Sequence, residues 1–313
     1  MLLKALIKRN VTALIFMMLA SAITFPAAAQ LEAPRQVTAT FSILGDLVKN
    51  VGGDRIKLST LVGPDGDSHV YSPSPGDARN LKNASIIFEN GLSFEGWMGR
   101  LVTSSGTTAK VIIVSNGIDT IETDEAGEGH DHHDGHHHDL DPHAWQSVPN
   151  VKQYVANIRD GLIAIDPEGR EIYTQNATAY LARLDTLDAQ IRKAIATIPK
   201  ADRKIVTSHD AFGYFAREYG VEFIALQGSS SDSEASARDM AQIIRLVREN
   251  NVPAIFVENI SDPRLMEQIA AETGARIGGR LYSDSLSASD GPAASYIEMM
   301  QYNLKTLTEA LNR

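Results

Sequence analysis

Residues 167–198 constrain the fold more than any other stretch of this chain. After Gly169 they contain no glycine and, beyond Pro167, no proline until Pro199. Leu181, Leu184, Leu187 and Ile191 recur at helical spacing, followed by Ile195 and Ile198. The pattern predicts one helix of about 28 residues, roughly 40 Å long at 1.5 Å per residue, which Pro199 ends. Two helices meeting at a kink are the alternative reading. A single helix of that length cannot be covered by one small lobe, so it is expected to run along two.

The flanking regions supply those lobes. Gln36–Ile43, Lys57–Val62, Ser85–Glu89 and Lys110–Val114 are rich in β-branched residues and read as strands, with helical stretches at Leu44–Val51 and Phe94–Thr103. Beyond the long helix the scheme repeats, with strands at Lys204–Thr207, Val221–Leu226, Ala254–Glu258 and Arg276–Leu281. Helices are expected there at Ala211–Tyr219, Ala237–Asn250, Pro263–Thr273 and Ala293–Leu311. Alternation of this kind predicts an α/β fold of two lobes, each with a parallel-type sheet covered by helices. The expected boundaries are 30–166 for the N-terminal lobe, 167–199 for the linker helix and 200–313 for the C-terminal lobe.

The first 29 residues read as a secretory signal peptide. Lys4, Lys8 and Arg9 precede an apolar run from Val11 to Ile23, and Ala27-Ala28-Ala29 offers small residues for cleavage before Gln30. The apolar run is short for a bilayer span, and no cysteine follows it to carry a lipid. An exported, periplasmic protein is therefore expected. The chain has no cysteine anywhere, so disulfides and thiolate ligands are excluded and any metal site must use nitrogen and oxygen. Net charge is −10, and removing three cations with the signal peptide takes it to −13. Such an acidic chain is a poor partner for nucleic acid or an anionic membrane and suits a protein that handles cations.

The histidines carry the functional argument. Six of the nine lie in one polar stretch, residues 122–139, as His130, His132, His133, His136, His137 and His138. With almost no apolar residues that stretch has no core face to bury, so a loop is expected. The other three are His69 in GPDGDSHVYSPSPGD, His143 in DLDPHAWQS and His209 in VTSHDAFGYF. Each follows a strand or turn signal and precedes a helical stretch, and in open α/β sheets ligands bind at such strand exits. A lone histidine is more often structural, but three in like settings beside acids match what borderline divalent ions bind. Asp67, Asp141 and Asp210 can fix an imidazole tautomer or cap a helix. Three imidazoles need a fourth donor. Asp284 in GGRLYSDSLS is the leading candidate, with Glu258, Asp262, Asp290 or a water as rivals.

The blocks GDLVKNVGGDRIKLSTLVGPDGDSHVYSPSPGDAR, NGLSFEGWM, DPHAW, TSHDAFGYFA and LYSDSLS, in that order, resemble the zinc and manganese solute-binding proteins of bacterial ABC transporters. The resemblance spans nearly the whole mature chain. It implies two α/β lobes joined by one long helix, with metal held by His69, His143, His209 and Asp284. Manganese members usually carry glutamate at the third of these positions and zinc members histidine, so His209 implies zinc. The His-rich loop just before DPHAW is similar to that of the Azt-type periplasmic zinc-binding proteins. One departure is SEASARD, where members often show a Glu-Pro-Ser block; it is not expected to touch the metal.

The function expected is capture of Zn²⁺ between the lobes and delivery to an ABC transporter permease, by a monomer that is not an enzyme. A periplasmic metallochaperone is a further candidate partner. Manganese binding is the first alternative. A zinc-dependent hydrolase is the second, since three histidines with an open position can activate water. It lacks an HExxH pattern, and no general base stands at fixed spacing from a ligand. The loop histidines are expected to bind metal more weakly than a preformed site, because ordering the chain costs entropy.

Overall fold

The structure is a computed structural model, and it describes residues 33–123, 140–231, 236–250 and 252–312. The expected signal peptide lies outside those residues. So do residues 124–139 of the loop expected at 122–139, with all six of its histidines.

The chain runs β1 (Arg35–Phe41), α1 (Ser42–Gly52), β2 (Ile56–Val62), α2 (Pro75–Asn83), β3 (Ile86–Glu89), α3 (Met98–Ser105) and β4 (Lys110–Ile113). Next come α4 (Val148–Ile165) and α5 (Arg170–Ala196). The second half contains β5 (Lys204–His209), α6 (Gly213–Tyr219), β6 (Glu222–Gln227), α7 (Ala237–Asn250), β7 (Ala254–Glu258), α8 (Arg264–Thr273), β8 (Arg276–Leu281) and α9 (Tyr296–Leu311).

The strands form two parallel four-stranded sheets of identical order, β2-β1-β3-β4 and β6-β5-β7-β8. The inner strands β1 and β5 are buried along nearly their whole length, as strands covered by helices on both faces must be. In each sheet the order reverses beside the first strand, and the crevice outside such a reversal is where α/β sheets bind ligands. Close helix–strand packing explains two glycines. A Cβ on Gly45 would lie 2.6 Å from Thr60 Oγ1, and one on Gly52 would lie 2.3 Å from the Ile56 side chain.

The long helix is single. α5 holds 27 residues and buries Tyr173, Ala177, Tyr180, Leu184, Leu187, Ile191 and Ile195, a stripe stepping by three and four. It packs on α1 and α4 of the first half and on α9 of the second. Each fully buried leucine in that stripe contributes about 1.5–3 kcal/mol of apolar burial. The helix is moored at its start by Asp166, whose carboxylate accepts from Arg55 Nε at 2.8 Å, Arg55 Nη2 at 2.9 Å and Tyr173 Oη at 2.6 Å.

Two helices, α2 and α4, are additions to the elements expected from the sequence. α2 buries only Asp77 and Leu81, so it has no apolar stripe to betray it. Its signal is the capping box, in which Ser74 Oγ accepts from the Asp77 backbone N–H while the Asp77 carboxylate accepts from Ser74 N–H, with Pro75 in the first turn. α4 is legible in hindsight from Val148, Val151, Tyr154, Val155, Ile158 and Leu162. No helix among the described residues is long and apolar enough to cross a membrane.

Candidate metal centre

Four side chains from distant parts of the chain converge. His69 comes from the β2–α2 loop, His143 from the segment between β4 and α4, His209 from the last residue of β5, and Asp284 from the loop after β8. One donor atom from each lies within 4.8 Å of all the others. Asp284 Oδ2 is 3.2 Å from His69 Nε2 and 3.1 Å from His209 Nε2, and Oδ1 is 3.6 Å from His143 Nε2. The Nε2 atoms of His69 and His143 are 3.3 Å apart. Donors bonded tetrahedrally to one ion at 2.0–2.1 Å stand about 3.3 Å from one another. His143, His209 and Asp284 are fully buried, and His69 faces the outside most, with 5% of its side chain exposed. Among the described residues Asp284 Oδ1 has no hydrogen-bond partner, a costly state for a buried carboxylate oxygen that a cation relieves.

Each donor is held by its own local device. Asp67 Oδ1 accepts the His69 backbone N–H at 2.8 Å, and Ser231 Oγ donates to Asp67 Oδ2 at 2.5 Å across the two halves. Asp67 therefore shapes the His69 turn without touching its ring. Asp141 does both jobs for His143: Oδ1 takes the backbone N–H at 2.9 Å and lies 2.8 Å from Nδ1. That contact presents Nε2 to the site. Asp284 sits in a strap whose preceding carbonyl, that of Ser283, accepts from Trp145 Nε1 and Gln146 Nε2, both at 2.8 Å.

His209 departs from expectation in two respects. It ends β5 and so lies within the strand, where Thr207 was the expected last residue. Its ring partner is Glu258 at the end of β7, with Oε2 2.7 Å from Nδ1, an ion-pair contact that lacks hydrogen-bond alignment. Glu258 Oε1 also accepts the backbone N–H groups of Ser208 at 2.8 Å and His209 at 3.0 Å. Pairing of β5 with β7 stops at Val206–Ile255, and beyond it the Glu258 carboxylate, at the end of β7, accepts these N–H groups in place of a β7 backbone carbonyl. Glu258, a rival donor on sequence alone, thus stands behind His209 and outside the converging four. Asp210 contributes its backbone N–H to the Gly228 carbonyl at 3.1 Å. Asp262 pairs with Arg264 at the surface, and Asp290 is exposed, so neither reaches the site. In the SEASARD stretch, Ser236 and Asp239 cap α7, and residues 233–235 lie outside the described ones.

The electrostatics are those of a tight charge cluster. Burial works against a charged His143, but the carboxylates of Asp284 and Asp141 outweigh it and raise the imidazole to about 9. Burial likewise opposes charge on His209, which Glu258 and Asp284 raise well above its ordinary value. For Asp284 burial favours the neutral acid, yet the charges of His209 and His143 hold it well below the usual carboxylate range.

A layer without histidines or obvious motifs supports the site. Gly91, Leu92 and Ser93 follow one another at φ values of 81°, 56° and 64°, a strained turn for the two non-glycine residues. Glu95 closes it, with Oε1 accepting from Thr40 Oγ1 at 2.6 Å and Asn90 N at 2.8 Å and Oε2 from Gly91 N at 3.2 Å. Burial, with repulsion from Glu89, pushes the Glu95 carboxyl up to about 8. The turn sets the Phe94 ring 4.8 Å from that of His69 and 6.0 Å from that of His143. Asn90 Nδ2 donates to the Pro142 carbonyl at 2.9 Å, just ahead of His143. The only sequence signal for this layer is the NGLSFEGWM block itself.

Two parallel-sheet lobes, one long helix and a buried nitrogen–oxygen cage define the class: a metal-binding solute-binding protein. The chain belongs to the family described as "zinc-uptake complex component A periplasmic", whose model matches residues 37–310, and so to the zinc and manganese solute-binding proteins of ABC transporters. It is 34% identical over 278 residues to the manganese-binding lipoprotein MntA of Halalkalibacterium halodurans, covering 89% of each chain. It is 34% identical to the zinc-binding protein TroA of Treponema pallidum, covering 88% of this chain and 89% of that one. The iron-binding protein YfeA of Yersinia pestis is 31% identical, with coverage of 89% and 86%. Among solved structures, TroA superposes with a TM-score of 0.83 at 32% identity over 90% of this chain and 100% of that one. A Mn-bound periplasmic metal-binding protein from Candidatus Liberibacter asiaticus gives 0.79 at 31%, over 88% and 99%. As a member of this family the protein binds metal for an ABC permease and is not an enzyme.

Proposed function

We propose that the protein is a periplasmic zinc-binding protein in which His69, His143, His209 and Asp284 ligate Zn²⁺ between the lobes for delivery to the permease. The observation that carries this reading is the donor set. Three imidazoles and one carboxylate bring donor atoms within 4.8 Å of one another, with four of the six separations at 3.1–3.6 Å, close to what a four-coordinate ion of short bond length requires, and His143 and His209 are each backed by a carboxylate. Zinc suits this mixture, whereas manganese favours more oxygen and a larger coordination number. Manganese remains the second reading, because relatives named for manganese and iron match the chain as well as the zinc protein does.

In the same reading, cleavage after Ala29 releases a monomer to the periplasm. The six loop histidines add weaker accessory sites that raise local zinc, and a metallochaperone is a partner for loading. Competitive titration of the metal-free protein with Zn²⁺ and Mn²⁺ against a chelator of known affinity tests the proposal. A single tight zinc site that excludes manganese by about 1,000-fold or more is the expected result, on the usual order of divalent affinities. A site that holds manganese as tightly as zinc would overturn the zinc reading in favour of manganese, because the usual order of divalent affinities already favours zinc.

A further inference from the structure

The segment that carries the six loop histidines is rooted in a narrow neck, and the neck is fastened to the opposite lobe. Glu122 and Leu140 form an antiparallel bridge, and Asp141 N donates to the Ile121 carbonyl at 2.9 Å. Tyr214, fully buried on α6, closes the neck from the other side: its hydroxyl accepts from Ile121 N at 3.2 Å and donates to the Asp141 carbonyl at 3.0 Å. One turn on, Arg217 donates to the Asp119 carbonyl at 2.8 Å and lies over the Tyr214 ring, 5.0 Å from its centroid. At the start of α6, a Cβ on Gly213 would come 2.5 Å from Asp141 Oδ2.

The chain segments that carry two of the proposed ligands adjoin this fastening. Asp141 orients His143, and α6 begins four residues after His209. We propose that Tyr214 is a positioning residue for metal retention: by locking the neck of the His-rich segment to α6 it fixes the Asp141 carboxylate and, through it, the His143 ring. The inference rests on His143 being a ligand, as proposed above. A rotation of the Asp141 backbone carries its side chain with it, so freeing the carbonyl loosens the 2.8 Å contact to His143 Nδ1.

Tyr214→Phe removes both hydrogen bonds and keeps the ring. Zinc dissociation into excess chelator should quicken about fivefold, the range of one or two net hydrogen bonds and smaller than the 10–100-fold typical of a group bonded directly to a ligand histidine. In an Asp141→Asn background the same change should alter the rate less than twofold, because the route through Asp141 is already cut. The ¹⁵N shift of His143 Nδ1 should move in Tyr214→Phe, while that of His69 stays. Gly213→Ala, which displaces the carboxylate and spares the hydroxyl, should act in the same direction with the same lack of additivity, and it decides the matter if Tyr214→Phe does not fold. Full additivity with Asp141→Asn, or wild-type dissociation in Tyr214→Phe and Gly213→Ala alike, overturns the inference. A wild-type protein that binds neither Zn²⁺ nor Mn²⁺ would instead overturn the functional reading beneath it.

Discussion

At the scale of the residue, the four converging side chains are unequal. His143 and His209 are fully buried and each leans on its own carboxylate, so replacing either by alanine opens a hole that water fills poorly. Zinc affinity should fall at least about 100-fold in each, as measured by chelator competition, in line with losing a ligand rather than its outer partner. Asp284→Ala should cost less than either. A water can take the place of one carboxylate oxygen, and losing the Asp284 charge also lowers the two imidazoles it now raises. A structure of that variant should show zinc on the three histidines; zinc displaced toward Glu258 would refute the ranking.

The same charges predict a proton count. A zinc ligand histidine must be neutral, whereas the neighbouring carboxylates raise His143 to about 9 and His209 well above its ordinary value, so both favour the protonated form. Zinc binding at pH 7 should therefore release protons, at least one of them from His143, and apparent affinity should climb as pH rises from 7 until it nears 9. Calorimetry in buffers of different ionisation enthalpy reads the number directly, and a release below one proton would contradict the cluster. For the metal-free protein the sign is reversed. A raised folded value stabilises the fold fully below the unfolded value of about 6.5, and that stability is lost as pH rises through the folded one.

At the scale of the element, the long helix depends on its first turn. Asp166 is 1% exposed, and its carboxylate binds Arg55 through two hydrogen bonds and Tyr173 through a third. Hydrogen bonding to Arg55 holds its carboxyl below the usual range. Asp166→Ala should lower stability by about 3 kcal/mol, since it strands a partly buried guanidinium and frees the α4–α5 junction. Urea unfolding checks this, and a loss under about 1 kcal/mol would mean the helix is held by its apolar stripe alone. The sign of the pH effect follows from the depressed value: the contribution is present above the unfolded value near 3.9 and fades as pH falls below it.

At the scale of the whole molecule, the lobes are joined over the site by polar contacts as well as by α5. Leu286 N donates to Ser42 Oγ at 2.9 Å, Tyr296 N to Asp46 Oδ2 at 2.9 Å, and Tyr296 Oη to the Trp145 carbonyl at 2.8 Å. These ties leave the cage independent of the His-rich stretch. Deleting Gly129–Asp139 removes six histidines but keeps the Glu122–Leu140 bridge and Asp141. Zinc titration of the deletion should retain the tight step and lose the weak ones. Disappearance of the tight step would make a loop histidine one of its ligands.

All eight strands and the single long helix were legible in the sequence: the inner strands carry buried apolar runs, the outer ones follow from the strand–helix alternation, and a helix packed on two lobes leaves an apolar stripe. The candidates His69, His143, His209 and Asp284 were legible too, through the scarcity of histidine elsewhere and the resemblance of the blocks around them. α2 was hidden, since a helix that buries two residues is specified by its cap and not by periodicity. What stands behind His209 was decided only by tertiary structure. Asp141 lies two residues from the ring it orients, so a local turn suffices and the sequence points to it. His209 sits at the end of a strand whose side chains alternate faces, which leaves the adjacent Asp210 turned away and its ring open to whatever the neighbouring strand brings. That neighbour is β7, forty-nine residues on, and it brings Glu258.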